Sequence, residues 1–250
     1  VEEAIAIGIE EIIFITSPVK NSIQKHFDKS HELEKKLISS GKNDFLEKLN
    51  PSIFDNVKFK YINQIKQKGL GHAVMLAEEH IKNEPFAILL PDDLFFSEES
   101  CLTQLSKVYA LKENSVVAVN KVDSKNIHKY GVINPGQIEG RSIDIIDIVE
   151  KPKLENAPSN IAVCGRYILN SSIFDYLKKV KPDNSGEIQL TDAIKMMLES
   201  ESVSACIYEG EKFDCGSKKG FVEATIAIAL RDPEIRDDIK SFIFKEKFWI

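Results

Sequence analysis

The chain has 250 residues, 43% hydrophobic and 29% charged, which leaves room for one large α/β domain with a substantial core. Its net charge of -6 and lack of a long Lys/Arg run exclude a nucleic-acid surface. No apolar run approaches the ~20 residues a membrane span needs. Cys101, Cys164, Cys206 and Cys215 form no C-x-x-C pair. Zinc and disulfide frameworks are therefore set aside, and reduced thiols in a cytoplasmic protein are expected.

In chain order, Val1, Ala4 and Ile5 have helical spacing, and Gly8 reads as a C′ residue. That helix has a stop signal but no start signal, so the reading expects a domain that is incomplete at its N-terminus. Residues 11–16 predict a strand, with Ser17 and Pro18 as N-cap and first residue of the next helix. Helix is expected over 30–40, strand over 57–62, helix over 71–82 and strand up to Leu90. Helix 102–111 and strand 115–119 follow, then a hairpin turn at Asn134-Pro135-Gly136. Strands are expected over 143–149, 162–169 and 205–208, and helices over 173–180, 190–200 and 220–230. Asp232-Pro233 opens a charged C-terminal helix. Alternating strands and helices in the first half argue for βαβ units. The fold class expected is α/β: a Rossmann-like mixed, mostly parallel sheet with helices on both faces, forming one domain over 1–250.

Chemistry concentrates where strands end. The run Phe86-Ala87-Ile88-Leu89-Leu90 reads as a buried strand, and Pro91, with no N–H, ends its ladder. Asp92 and Asp93 follow at the C-terminal edge, where open α/β sheets bind ligands. Two acids there suit Mg²⁺ holding a substrate phosphate, or else a solvated turn. Asp214, beside Gly216, is a candidate second metal carboxylate, with a plain glycine turn as the alternative. Gln64 ends a strand, and its amide can read a base edge because it donates and accepts. Gly69 and Gly71 permit close backbone approach, either to a ligand or between helix and sheet. Gly131 is a second such point, or a bulge. Glu150 and Lys151 precede Pro152 at another strand end. The lysine suits a phosphate and the glutamate sugar hydroxyls, or the two form a solvated pair. Glu187 lies in a loop before an apolar helix. The five histidines show no metal-ligand spacing.

Six segments in order, SPVKNSIQKHF (17–27), KGLGHAV (68–74), LPDD (90–93), VEKP (149–152), GEIQLTD (186–192) and DCG (214–216), resemble those of the bacterial UTP–glucose-1-phosphate uridylyltransferases, a group of sugar-phosphate nucleotidyltransferases. The resemblance implies the nucleotide-diphospho-sugar transferase fold, UTP and glucose 1-phosphate as substrates, and Mg²⁺ as cofactor. It implies that Gln64 reads uracil, with Gly69 against base or ribose. It makes Asp92 the principal metal ligand and Asp214 the second. It gives Lys151 the sugar phosphate, Gly131, Glu150, Gly165 and Glu187 the sugar, and Lys218 a reach toward the phosphates. The family's opening strand, G-x-G-T-R loop and P-K pair have no counterpart among these residues. Residues 1–250 alone are accordingly expected to bind UDP-glucose weakly and not to turn over.

The implied reaction is in-line attack of the sugar phosphate on the α-phosphorus of UTP, releasing pyrophosphate. Two other functions fit the same residues: a metal-dependent glycosyltransferase that releases UDP, and a non-catalytic nucleotide-sugar-binding module. A homo-oligomer using the exposed C-terminal helices is expected, with no nucleic-acid or membrane partner.

Overall fold

Two apolar layers lie on opposite faces of one mixed sheet. The computed structural model describes residues 1–18, 22–28 and 30–245. The first half runs α1 (Glu2–Ile5), β1 (Glu11–Thr16), α2 (Ser22–Phe27), α3 (His31–Ser39), α4 (Asp44–Leu49), β2 (Lys58–Asn63), α5 (Gly69–Met75), α6 (Glu78–Ile81), β3 (Phe86–Leu89), β4 (Asp93–Phe96) and α7 (Cys101–Lys112). The second half runs β5 (Ser115–Lys121), β6 (Gly131–Glu139), β7 (Ser142–Glu150), β8 (Ile161–Leu169), α8 (Ile173–Leu177), α9 (Leu190–Met197), β9 (Val203–Ile207), β10 (Glu211–Asp214), α10 (Lys218–Arg231) and α11 (Arg236–Lys245). Among the described residues no helix is long and apolar enough to cross a membrane.

Local chemistry accounts for several element ends. Gly8 has φ of +86°. Its N–H donates to Ile5 O at 2.9 Å, and that of Ile9 to Ala4 O at 3.2 Å. This bond pair is a Schellman closure, with Gly8 at C′ as expected. Ser100 caps α7 by accepting from Thr103 N–H, and Glu113 ends it with φ of +51°. The helix expected over 71–82 is broken, with α5 ending at Met75 and α6 starting at Glu78. The expected cap at Ser17 and Pro18 bears on residues 19–21, which lie outside the described residues.

The six-stranded sheet has the order β3-β8-β5-β9-β7-β6, with β6 also touching β8. It is mixed, but the expected mostly parallel balance is not found. Only β5–β9 is parallel, while β3–β8, β5–β8, β6–β7, β6–β8 and β7–β9 are antiparallel. The parallel pair β1–β2 forms a separate ribbon. Among the described strands only β6–β7 is a hairpin with a short turn; the other antiparallel neighbours are distant in the chain, so no local connection sets their direction. The expected turn at Asn134-Pro135-Gly136 lies inside β6, where the register with β7 slips. Pro135 is tolerated at that bulge, and the hairpin turns instead at Gly140, with φ of +59°.

Strand alternation sorts the core. Val117, Val119, Tyr167 and Leu169 face one layer with α8 and α9 residues Phe174, Leu177, Ile194 and Met197. Val116, Ala118, Cys164 and Ile168 face the other layer with Ala4 and the α7 residues Leu102 and Leu105. Helices therefore cover both faces, as expected. Ile194 is fully buried. Ile194→Ala is expected to cost roughly 2–5 kcal/mol, seen as a lower urea midpoint at unchanged slope. A loss below about 1 kcal/mol would show that this layer is loosely packed.

Candidate active site

One corner of chain carries the acid end. After β3, Leu90 N–H donates to Gly165 O at 2.9 Å, and Pro91 ends the pairing. The buried Arg166 guanidinium grips both sides of the corner. It donates to Leu90 O at 2.9 Å, Gly165 O at 3.0 Å and Asp93 O at 3.1 Å. Its Nε donates to Glu3 Oε2 at 3.0 Å, and its plane lies 4.4 Å from the Phe95 ring centre. Asp92 is left exposed at the apex.

The β4–β10 ribbon sets Asp214 opposite Asp93, and Cys215 N–H donates to Asp92 O at 2.7 Å. A Cβ on Gly216 would lie 3.0 Å from Asp92 Oδ2 and 3.1 Å from Asp214 Oδ1. The structure thus brings the two expected metal acids around one small space. Helix α10 starts hard against them. Ser217 Oγ accepts from Gly220 N–H at 3.1 Å and donates to Asp214 O at 3.0 Å. A Cβ on Gly220 would meet Asp214 O at 2.0 Å. Lys218, the first residue of α10, is exposed beside this corner.

Asp93, by contrast, points inward. Its Oδ1 pairs with Lys212 Nζ at 2.8 Å, both side chains being nearly buried. Burial pushes its carboxyl above the usual range against the pull of Lys212. Burial would lower Lys212, but Asp93 holds it above its ordinary value. Gly165, expected at the sugar, is filled from within: a Cβ there would lie 2.5 Å from Asp93 Oδ2.

Three of the residues expected at the sugar or its phosphate, Glu150, Lys151 and Glu187, line a groove of about 410 Å³ with Asp183, Ser185, Gln189 and Asp192. Glu150 ends β7, Lys151 follows it, and the two form an ion pair at 3.3 Å. Lys151 has φ of +43°, a left-handed backbone that costs a non-glycine residue of order 1–3 kcal/mol. Gly131 pairs with Glu150 across β6–β7. A Cβ there would sit 3.1 Å from Thr191 Oγ1 and 3.3 Å from Glu150 Oε2. Asp183 shapes the far wall. It accepts from Ser185 N–H at 2.8 Å, Glu187 N–H at 3.0 Å and Gln189 Nε2 at 2.9 Å. The Ser185 hydroxyl, Gln189 and Glu187 N–H bonds hold its carboxyl well below the usual range. Burial, with Glu150 and Asp183 nearby, pushes Asp192 up.

At the third point, Gln64 Nε2 meets His72 Nδ1 at 2.9 Å and donates to Gly69 O at 3.3 Å. Gly69 has φ of +87°, and a Cβ there would lie 2.8 Å from Ile188 O and 2.9 Å from Glu187 Cβ. Gly71 N–H donates to Ile188 O at 2.8 Å, and Ile188 N–H to Lys68 O at 2.8 Å. The glycine pair thus joins the Gln64 loop to the loop carrying Glu187. A second hollow, of about 390 Å³, runs along β2 past Lys60, Tyr61 and His80; no expected site residue lines it.

Sequence reasoning missed Arg166, Lys212, Asp183 and Gln189. Asp183-x-Ser185-Gly186 is a readable turn signal. Nothing local marks the other three.

This fold and site define a nucleotide-transferring enzyme. The nucleotidyl transferase family matches residues 1–230, and the chain belongs to that family. A UTP–glucose-1-phosphate uridylyltransferase of Staphylococcus epidermidis is 46% identical over 243 residues, 97% of this chain and 84% of the relative. One from Staphylococcus saprophyticus is 44% identical over 247 residues, 99% and 85% of the two chains. The solved UDP-glucose pyrophosphorylase complexed with UDP-glucose superposes with a TM-score of 0.84 at 38% identity, covering 92% of this chain and 85% of that one. A UTP-bound UGPase from Acinetobacter baumannii gives 0.88 at 36% identity, covering 97% and 85%. Within the family, the chain is one of the UTP–glucose-1-phosphate uridylyltransferases.

Gly69→Ala places its Cβ against the Ile188 backbone and the Glu187 Cβ at a strained φ. A stability loss of roughly 1–3 kcal/mol is expected, with weakened UDP-glucose binding as Glu187 shifts. Thermal unfolding and calorimetry check this. An unchanged melting point would show that the 187–188 loop yields freely.

Proposed function

We propose that the protein transfers the uridylyl group of UTP to glucose 1-phosphate at this site, giving UDP-glucose and pyrophosphate. The observation that carries the reading is the adjacency of two subsites. Lys212 Nζ lies 2.8 Å from Asp93, next to the acid corner, and 5.1 Å from the centre of Tyr130, next to Gly131 and the groove. Phosphates held at the acids and a sugar held in the groove are then neighbours.

Lys151 holds the sugar phosphate and Glu150 and Glu187 accept from ring hydroxyls, with Gly131 leaving room. Gln64 reads the uracil edge once its amide nitrogen leaves Gly69 O and His72 Nδ1, with Gly69 beside the base, and Lys218 reaches the phosphates. One phosphate oxygen of glucose 1-phosphate attacks the α-phosphorus of UTP and forms the new P–O bond. The bond to the bridging oxygen breaks in line, and its electron pair leaves with pyrophosphate. No side chain is needed as a nucleophile, so positioning and charge neutralisation supply the rate.

Mg²⁺ fits the acid pair: Asp92 and Asp214 offer hard oxygens around the space above Gly216. Among the described residues no group of three His, Cys, Asp or Glu side chains converges on a metal position. Substrate phosphates and water would complete the shell, as Mg²⁺ prefers. Mg²⁺ bound there neutralises phosphate charge. Four free cysteines suit a reducing, cytoplasmic setting. Exposed Phe221, Val222, Phe242 and Phe244 on α10 and α11 support a homo-oligomer.

The reading is tested by giving the full-length protein UTP, glucose 1-phosphate and Mg²⁺ and following pyrophosphate. Release of UDP instead, with the sugar moved to an acceptor, would defeat it. Asp92→Ala is expected to abolish the Mg²⁺-dependent rate while leaving the far-ultraviolet circular dichroism spectrum unchanged. Near-normal turnover at ordinary Mg²⁺ would remove Asp92 from the metal. Losing the charge-assisted bonds of Lys151 costs roughly 1.5–3 kcal/mol, about ten- to a hundredfold in affinity. Lys151→Ala should therefore raise KM for glucose 1-phosphate far more than for UTP, and equal rises would mark a general structural role.

A further inference from the structure

We propose that Lys212 and Tyr130 form a positioning joint that fixes the acid corner relative to the sugar groove. This deepens the uridylyl-transfer reading and rests on it. Lys212 is two residues before Asp214 on β10, and its ammonium is held at 2.8 Å by Asp93, the residue after Asp92. Its other neighbour is the Tyr130 ring, 5.1 Å away at the centroid. The carbonyl of Tyr130 accepts from Lys151 N–H at 3.0 Å, and its next residue, Gly131, lies opposite Glu150. One cation therefore connects both metal acids to the backbone of both groove residues.

The burial of this pair argues for geometry rather than stability. Side-chain exposures are 14% for Lys212 and 12% for Asp93. Desolvating two charges largely cancels their attraction, so a buried pair is a weak stabiliser, and apolar replacements often serve as well. What the pair offers is a fixed position: the ammonium has an acceptor on one side and a π face on the other. Gly165 gives Asp93 its place, since a Cβ there would meet Asp93 Oδ2 at 2.5 Å. In-line transfer needs the attacking oxygen close to its target phosphorus, so a small relative shift of the two subsites is expensive in rate.

The test measures UDP-glucose affinity of the full-length protein by calorimetry, in EDTA and then in Mg²⁺, alongside pyrophosphate release. It compares wild type with Lys212→Met, Lys212→Arg and Tyr130→Leu. Lys212 lines no part of the groove, yet Lys212→Met is expected to weaken UDP-glucose about five- to tenfold even in EDTA. It should also lower kcat at saturating substrate by about tenfold or more. Lys212→Arg should recover most of both. Tyr130→Leu keeps Asp93 paired and should show the same loss in EDTA, so it decides the matter if Lys212→Met does not fold. Either variant binding within about twofold of wild type overturns the joint. A wild type that binds UDP-glucose but releases no pyrophosphate defeats the transfer reading alone, and the binding comparison still decides the joint. A wild type that binds no UDP-glucose overturns both.

Discussion

A single buried guanidinium sets the architecture of the acid corner. Arg166 is 6% exposed and directs its donors at three carbonyls and one carboxylate. Two of those carbonyls, Leu90 O and Asp93 O, bracket the turn that exposes Asp92. A third, Gly165 O, also accepts from Leu90 N–H. The carboxylate belongs to Glu3, so helix α1 is fastened to the same point. Removing one partner from such a buried set leaves the others unsatisfied, at a cost of roughly 3–5 kcal/mol. The geometry of Asp92 is therefore decided behind it, in the core, while its carboxylate stays in water.

The β4–β10 ribbon extends the same logic. It is only four residues long on each strand and would be marginal alone. Phe96 packs edge-on to Phe213 at 5.8 Å across the ribbon, and Phe95 edge-on to Tyr208 at 5.0 Å, which anchors the ribbon to the body. Asp214 inherits its position from this packing and from the α10 cap at Ser217.

What the sequence made legible is what short-range chemistry controls. Pro91 cannot extend a ladder, so the acids after it fall at a strand end. Gly8 declares its left-handed turn, and the β5 run alternates cleanly between two layers. The balance of strand directions was not legible, because most neighbours in the sheet, such as β3–β8 and β7–β9, are distant in the chain. Glycines were legible only in part. Gly69 left a ligand and close helix packing both open, and the structure sets Ile188 O beside it, while Asp93 lies against Gly165. Nor was Lys212 legible, since its acid partner lies far away in sequence and its ribbon has too few residues to show a period.

The groove's wall carries an electrostatic consequence. Glu150, Asp183, Glu187 and Asp192 stand around one hollow with Lys151 as their nearby base, and Asp192 already feels its neighbours' charge. A hexose whose ring bears only hydroxyls gives these oxygens donors to accept. A uronic acid would bring a fifth carboxylate among four, with no donor to offer and a like charge to bury. The same wall is thus set electrostatically against any further carboxylate brought into the hollow.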